Sequence, residues 1–273
     1  MLILPDLILW GLFAGFMGGL LGVGGGLVFV LIIPEAARRM GVPEADLVAV
    51  TIANSLVCTF FTTFAAGFKR IMSDQAVRRS AAIIGTSSTI VSILVLYFIV
   101  NRGLLSPLVF DSFFLLIVAY LMLKLFLKWI SAKSASEMVP EKNDRLLWLT
   151  GVFSGIVSPL SGLGGGIVVV PVLHGILHFP IRMAQSISFG VIALSTLLSS
   201  FFNLFEKVNF NISVPHTGLL IHSLVLSIAS ASIPGALAGT WTSGKLSSRW
   251  AGGILLAFLF FIFLRKIIQL FFQ

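Results

Sequence analysis

The sequence predicts an all-α polytopic membrane protein built from two homologous halves of four segments each. Of its 273 residues, 58% are hydrophobic and only 10% are charged, a composition that excludes a water-soluble domain of this length. Residues 11–26 and 151–166 match at 8 of 16 positions with a constant offset of 140. Eight hydrophobic segments follow the same order in the two halves, each near the roughly 20 residues that a bilayer core requires.

The first and fifth segments differ from the others because each contains a glycine cluster within 28 residues free of Asp, Glu, Lys, Arg and His. Asp111 and Lys124 interrupt the fourth segment, and we interpret both as interfacial side chains. The five tryptophans stand at segment boundaries and are predicted to anchor them at the interface. In chain order the segments are 7–34, 47–68, 80–101, 108–129, 146–173, 183–205, 223–244 and 250–272.

We expect one membrane domain over residues 1–273, because neither half alone could enclose a polar site. Repeat 1 covers 1–130, a cytoplasmic linker rich in charge, Ser and Pro covers 131–145, and repeat 2 covers 146–273. The first six residues lack a basic region and a cleavage site, so the first segment is predicted to be a retained membrane segment and not a signal peptide.

The net charge of +8 does not indicate nucleic-acid binding, because the basic residues are dispersed among loops. Loop 69–79 and the linker collect Lys and Arg and are therefore predicted to be cytoplasmic. Two arrangements remain: an inverted repeat, if each glycine segment returns to its own side, and a parallel repeat, if each crosses. Both put eleven basic residues inside and six outside. We favour the inverted repeat, with its glycine-broken helices meeting near the membrane midplane, because transporters commonly build a binding site in this way.

The glycine clusters are candidate anion sites. A helix that starts at Gly26 or Gly166 would direct unpaired N–H groups and the positive end of its dipole toward the break. Glycine also lets backbone approach a ligand closely. The candidate binding residues are Gly24, Gly25, Gly26, Gly164, Gly165 and Gly166, with Thr51, Asn54, Ser55, Ser158, Ser161, Gln185, Ser186 and Ser188 as side-chain donors.

Other motifs have plainer interpretations. Gly11 and Gly15, like Gly151 and Gly155, have the spacing of helix-packing faces. No Gly-Lys-Ser/Thr follows either cluster, so a nucleotide loop is not indicated. His174 and His178 lack a third ligand, so neither a metal nor any cofactor is expected. His222 lies in an otherwise uncharged span and is a candidate proton relay.

The paired motif resembles the TauE/SafE family of sulfite exporters. It consists of residues 22–26 followed by a Val/Ile/Leu run to Pro34 and a Ser/Thr-containing helix start, repeated as 162–166, a run to Pro171 and residues 184–186. The resemblance implies secondary transport, usually outward, of small sulfur-containing anions such as sulfite, sulfoacetate and related organosulfonates across the bacterial inner membrane. It carries the six cluster glycines, Thr51, Asn54, Gln185 and Ser186 as binding positions. Gly19 is replaced by Pro159 in the second repeat, so the half-sites are not expected to be identical.

Alternative functions are a passive anion channel, a carrier of non-sulfur organic anions and an intramembrane enzyme. The enzyme is disfavoured because no Asp or Glu accompanies Ser158, Ser161 and His174. Uniport or proton coupling is expected, and sodium coupling is disfavoured by the scarcity of carboxylates. The expected partners are a small anion and the lipid bilayer, and the sequence does not distinguish a monomer from a homodimer.

Overall fold

The computed structural model describes residues 3–130, 143–206, 208, 212, 214–245 and 248–271. Over these residues the chain forms ten α-helices, and a π-helical segment, Leu96–Val100, extends the fourth. Most of the linker predicted at 131–145, namely 131–142, lies outside the described residues. The helices are α1 (Ile3–Leu21), α2 (Gly26–Arg39), α3 (Leu47–Ser73), α4 (Gln75–Val95), α5 (Pro107–Ile130), α6 (Asp144–Ser161), α7 (Gly166–Gly175), α8 (Ile181–Leu204), α9 (His222–Ser243) and α10 (Ser248–Phe271).

Each glycine-containing segment is two helices separated by a four-residue break. The expected helix starts at Gly26 and Gly166 are confirmed. Gly24 and Gly25 have φ values of 82° and 79°, and Gly164 and Gly165 have values of 73° and 77°. A residue with a side chain pays about 1–2 kcal/mol for this left-handed conformation, so consecutive glycines are what allow the helix to stop and restart.

Four described helices are long and apolar enough to cross a membrane: α3, α4 with its π-helical extension, α8 and α9. Shorter apolar helices lie at Pro5–Leu21, Pro107–Tyr120 and Gly166–Gly175. These lengths agree with a helical membrane protein. They also explain the two glycine segments, since each divides its apolar run between two shorter helices.

The helices α3 and α8 pack together at the centre and run in opposite directions. Gly67, late in α3, lies against Phe189, early in α8. Thr59, about two turns earlier in α3, shares its surroundings with Thr196, further along α8. Each central helix also packs against a spanning helix of the other half, α3 against α9 and α8 against α4.

Glycines bring α1 against α9 and α6 against α4. A Cβ on Gly11 would lie 2.8 Å from the carbonyl oxygen of Ile228, and one on Gly15 would overlap the backbone of Ser232. On α6, a Cβ on Gly151 or Gly155 would overlap the backbone of α4. The packing interpretation of these four glycines is therefore confirmed.

A short hairpin departs from the all-helical expectation. Strand β1 (His216–Thr217) pairs antiparallel with β2 (Leu220–Ile221), with His216 opposite Ile221. Asn54 of α3 donates from Nδ2 to the oxygen of Leu219 (2.9 Å) and accepts at Oδ1 from the nitrogen of Ile221 (2.9 Å). The hairpin enters the buried region because this amide satisfies its backbone, which buried non-helical chain requires.

The charged residues contain one correction to the sequence interpretation. Asp111 is not a snorkelling interfacial residue: its Oδ1 lies 2.7 Å from Nζ of Lys266, whose side chain is only 3% exposed. The pair joins α5 to α10, a contact between distant parts of the sequence. Trp148 and Trp241 are exposed, as interface anchors require, whereas the side chains of Lys124, Trp129 and Trp250 lie outside the described residues.

Candidate functional site

The two glycine breaks are in direct contact with each other. A Cβ on Gly26 would lie 2.8 Å from the Cα of Leu163, inside the second break. Ser55 of α3 donates to the oxygen of Gly162 (2.7 Å), and Ser188 of α8 donates to the oxygen of Gly22 (3.0 Å). Each central helix thus holds the glycine break of the opposite half through a hydrogen bond.

The breaks converge on Thr59. A Cβ on either Gly24 or Gly164 would lie 2.9 Å from Cγ2 of this threonine. Thr59 is fully buried, and its hydroxyl has no hydrogen-bond partner among the described residues. An unsatisfied buried polar group costs about 1–3 kcal/mol. The Thr59 hydroxyl, on a residue whose methyl group contacts both breaks, is therefore a candidate donor to a ligand.

The surroundings of the two breaks mirror each other with one exception. Gly24 faces Thr63, Thr59 and Ile192, while Gly164 faces Thr196, Ile192 and Thr59. Ile192 therefore occupies on α8 the place that Thr59 occupies on α3. Only one of the two central positions carries a hydroxyl, so the half-sites are chemically unequal.

Backbone donors lie at the two helix starts that follow the breaks. The N–H groups of Gly26, Leu27, Gly166 and Ile167 have no acceptor within the described part of the chain. They belong to the first turns of α2 and α7, where the helix dipole is positive. The two helix N-termini lie next to each other. Their partial positive charge comes from backbone dipoles and not from ionised side chains, and it suits a small anion.

The side chains predicted from the sequence fall into two groups: some have hydroxyls without a partner in the described part of the chain, and others already make hydrogen bonds. Thr51 and Ser158 are buried, and their hydroxyls lack a partner among the described residues. Gln185 reaches the last turn of α1, with Nε2 at 3.4 Å from the oxygen of Leu21.

The remaining predicted donors are already engaged. Ser161 donates to Val157 (2.6 Å) and Ser186 to Arg182 (2.9 Å), each within its own helix. Asn54 holds the hairpin described above. The structure therefore brings the two glycine breaks together. It leaves the hydroxyls of Thr51 and Ser158 without a partner among the described residues, but uses Asn54 to hold the hairpin.

The histidines lie apart from the glycine breaks. His222 is exposed at the start of α9, with Nε2 at 2.8 Å from Oγ1 of Thr217. Nδ1 of His174 contacts the oxygen of Phe179 at 2.9 Å. Within the described residues, no group of three His, Cys, Asp or Glu side chains is placed to hold a metal ion.

Two cavities lie away from the breaks. The larger, about 400 Å³, is bordered by Glu35, Arg39 and Arg265. The smaller, about 40 Å³, includes Thr51 in its wall. Neither is lined by the cluster glycines; Gly24 and Gly164 pack closely against Thr59 and Ile192.

Thr59, Thr196 and Ile192 were not among the residues predicted from the sequence. A usable signal exists for the first, because Thr51, Ser55, Thr59 and Thr63 recur every fourth residue and so share one face of α3. No comparable pattern marks Ile192, whose importance depends on its position opposite Thr59.

Helices interrupted by glycine inside an apolar bundle, with the two interruptions in contact, are typical of the class of membrane transporters. The comparison with known sequences agrees with this class. The chain belongs to the sulfite exporter TauE/SafE family, whose family model matches residues 7–265.

Two curated relatives carry the same general description. A probable membrane transporter protein of Methanocaldococcus jannaschii is 29% identical over 203 residues, covering 72% of this chain and 71% of that protein. A probable membrane transporter protein of Haemophilus influenzae is 28% identical over 170 residues, covering 61% of each chain. No solved structure gives a significant match.

Proposed function

We propose that the protein is a secondary transporter of small sulfur-containing anions, such as sulfite or an organosulfonate, and works by alternating access in the bacterial inner membrane. The observation that carries this proposal is that both glycine breaks contact the methyl group of Thr59, a buried residue whose hydroxyl has no hydrogen-bond partner among the described residues. The family named above supports the substrate class, and the site supports the sign of the substrate's charge.

The chemistry of the site favours an anion that must also be released. The donors are backbone N–H groups and a hydroxyl, all uncharged, so they attract an oxyanion without holding it as a fixed cation would. No carboxylate occurs in either glycine-containing segment between 7–34 or 146–173. A cation would therefore lack a charged partner at this place.

The proposed architecture is one domain of two inverted repeats, 1–130 and 146–273, that span the membrane several times. Support comes from the opposite directions of α3 and α8 and from contacts at one end of the bundle. There, Arg70 at the end of α3 donates to the oxygen of Thr240 near the end of α9 (3.2 Å). Arg182 at the start of α8 donates to Gly244 (3.2 Å). A parallel repeat would put Arg182 and the end of α9 on the opposite side from Arg70.

Transport by this fold requires the two breaks to separate. Gly24 and Gly164 now pack against the same threonine methyl group, so the substrate reaches Thr59 only after one half moves relative to the other. Outward flux of an anion needs no coupled ion, because an inside-negative potential of 100 mV contributes about 2.3 kcal/mol per charge.

The test is sulfite efflux from liposomes that contain the purified protein with Thr59→Val. Valine keeps the methyl group that packs on both glycines and removes only the hydroxyl. We expect at least a tenfold loss of efflux, because the central hydrogen bond to the anion is missing. Saturation by substrate and counterflow in the wild type would separate a carrier from a channel.

The matched control is Thr89→Val on α4. Thr89 is also buried, but its hydroxyl donates within its own helix to Gly85 (2.7 Å), so efflux should stay near the wild-type rate. Equal efflux by Thr59→Val and the wild type would refute the central site.

A further inference from the structure

A second polar cavity lies where the C-terminal half of α2 meets the starts of α3 and α5 and the end of α10. Its polar lining consists of Arg38, Thr51, Asp111 and Lys266, and Pro34 and Phe110 are among its apolar walls. The cavity is separate from the glycine breaks, and nothing in the central site requires it.

The ion pair in this cavity is unusually buried. Lys266 is 3% exposed and Asp111 is 18% exposed, with 2.7 Å between Nζ and Oδ1. Burying such a pair costs desolvation energy that the attraction between the charges often fails to recover. An apolar pair of similar size would join α5 to α10 at least as well, so stability alone is a weak reason for these charges.

The cavity holds donors for a small anion. Lys266 supplies an ammonium group whose present partner is Asp111, while the guanidinium of Arg38 is already paired with Glu44 (2.7 Å between Nε and Oε1). The hydroxyl of Thr51 is 1% exposed and lacks a hydrogen-bond partner among the described residues. The volume of about 40 Å³ is close to that of one water, about 30 Å³. The closed form therefore admits one anionic oxygen or a halide-sized ion, not an extended organic molecule.

The position of Thr51 connects the cavity to the central site. Thr51, Ser55 and Thr59 are each four residues apart on α3, so they share a face and the outer two lie about 12 Å apart along the helix axis. All three are buried. A polar stripe on α3 thus leads from the glycine breaks to the ion pair.

We propose that this cavity is a second anion site on the release path, in which Lys266 exchanges its Asp111 partner for the departing anion. The proposal rests on the function proposed above for the path but assigns a separate site. Asp111 is the more exposed member of the pair, so it is the group that turns away when the anion arrives. Thr51 supplies the remaining donor, because Arg38 is held by Glu44.

The experiment measures sulfite affinity of the purified full chain in nanodiscs after Asp111→Asn. The substitution keeps the size of the side chain but removes the carboxylate that competes with the anion for Lys266. We expect about tenfold tighter sulfite binding and slower efflux, because release from Lys266 becomes harder. The same tightening should appear in the Thr59→Val background, since the second site is independent of Thr59.

Two further variants complete the test. Asp144→Asn removes a carboxylate from the exposed pair of Asp144 with Arg79 (2.8 Å) and should leave sulfite affinity unchanged. Asp111→Asn with Lys266→Gln removes both charges, and should bind sulfite more weakly than Asp111→Asn alone. A purely structural pair would alter stability but not produce these opposite changes in affinity.

The outcomes separate the two proposals. Unchanged or weaker sulfite binding by Asp111→Asn would overturn the second site, even if wild-type efflux is normal. Tighter binding by Asp111→Asn together with no wild-type efflux would keep the second site and reject the transport function.

Discussion

At the scale of single residues, the left-handed glycines determine where the chain breaks. Gly25 is the residue before α2, with φ of 79°, and Gly165 is the equivalent before α7, with φ of 77°. In both breaks, atoms of neighbouring residues lie too close to Gly25 and Gly165 to leave room for a side chain. Backbone conformation and close approach thus require glycine for two separate reasons.

Gly25→Ala should therefore cost more than a positive φ alone explains. Its new Cβ would lie 2.9 Å from the oxygen of Ala14 and 3.2 Å from the ring of Phe29. We expect the free energy of unfolding to fall by about 2–5 kcal/mol, the sum of left-handed strain and overpacking. Thermal unfolding in detergent, with sulfite efflux measured in parallel, tests this.

Gly41→Ala is the matched control, because Gly41 has φ of 88° and nothing within 4 Å of an added Cβ. It should lose only about 1–2 kcal/mol and keep its efflux. If the two variants unfold alike, close packing at the break is not the reason for Gly25.

The positions of the breaks could be predicted from the sequence, but the residue between them could not. Three consecutive glycines weaken a helix by about 1 kcal/mol each, which is a local property visible in residues 24–26 and 164–166. Thr59 acquires its role only when Gly24 and Gly164 approach it from different halves. That approach depends on contacts between residues more than 100 positions apart, such as Ser55 with Gly162.

At the scale of elements, pairs of helices approach so closely that backbone meets backbone. Gly11, Gly15 and Gly19 form one face of α1, and Gly235 and Gly239 of α9 face it from the other side. Small residues permit this contact, and within a membrane close packing provides much of the attraction between helices. The Gly-x-x-x-Gly spacing on α1 predicts such a face from the sequence, although not its partner.

Gly15→Ala should separate α1 from α9, because its Cβ would overlap the backbone of Ser232. We expect a loss of about 1–3 kcal/mol, typical of overpacking, seen as a lower unfolding temperature in detergent.

Gly253→Ala on α10 provides the contrast, since nothing lies within 4 Å of a Cβ there. A glycine in an open helix position is less favourable than alanine by roughly 0.5–1 kcal/mol, so this variant should unfold at an equal or higher temperature. A fall in stability as large as that of Gly15→Ala would contradict the packing argument.

The hairpin and the buried ion pair, which were not predicted from the sequence, share one physical cause. The hairpin at 216–221 exists because Asn54, more than 160 residues away, satisfies its backbone. The Asp111 pair likewise requires α10 to lie beside α5. Local composition predicts helices and their ends, while these features arise from pairings that a single segment does not encode.

At the scale of the whole molecule, the halves are interlocked rather than placed side by side. The first helix of each half packs on the penultimate helix of the other, α1 on α9 and α6 on α4. The central helices cross over in the same way, α3 to α9 and α8 to α4. This exchange is a reason to expect one domain, because removing either half would expose the glycine faces of the other.

The inverted arrangement makes a prediction that the parallel arrangement reverses. Single cysteines at Ser243, at the end of α9, and at Glu206, after α8, would be placed in a Cys58→Ala background. The inverted repeat puts Ser243 inside and Glu206 outside, because Arg70, at the end of α3 that precedes the loop predicted to be cytoplasmic, contacts the last turns of α9. Labelling of whole cells with a membrane-impermeant maleimide should therefore modify Glu206→Cys and spare Ser243→Cys until the cells are opened.

Ser73→Cys is inside under both arrangements and reports the integrity of the membrane. Labelling of Ser243→Cys in intact cells, with Glu206→Cys and Ser73→Cys protected, would establish the parallel repeat and remove the opposed helix starts on which the anion site depends.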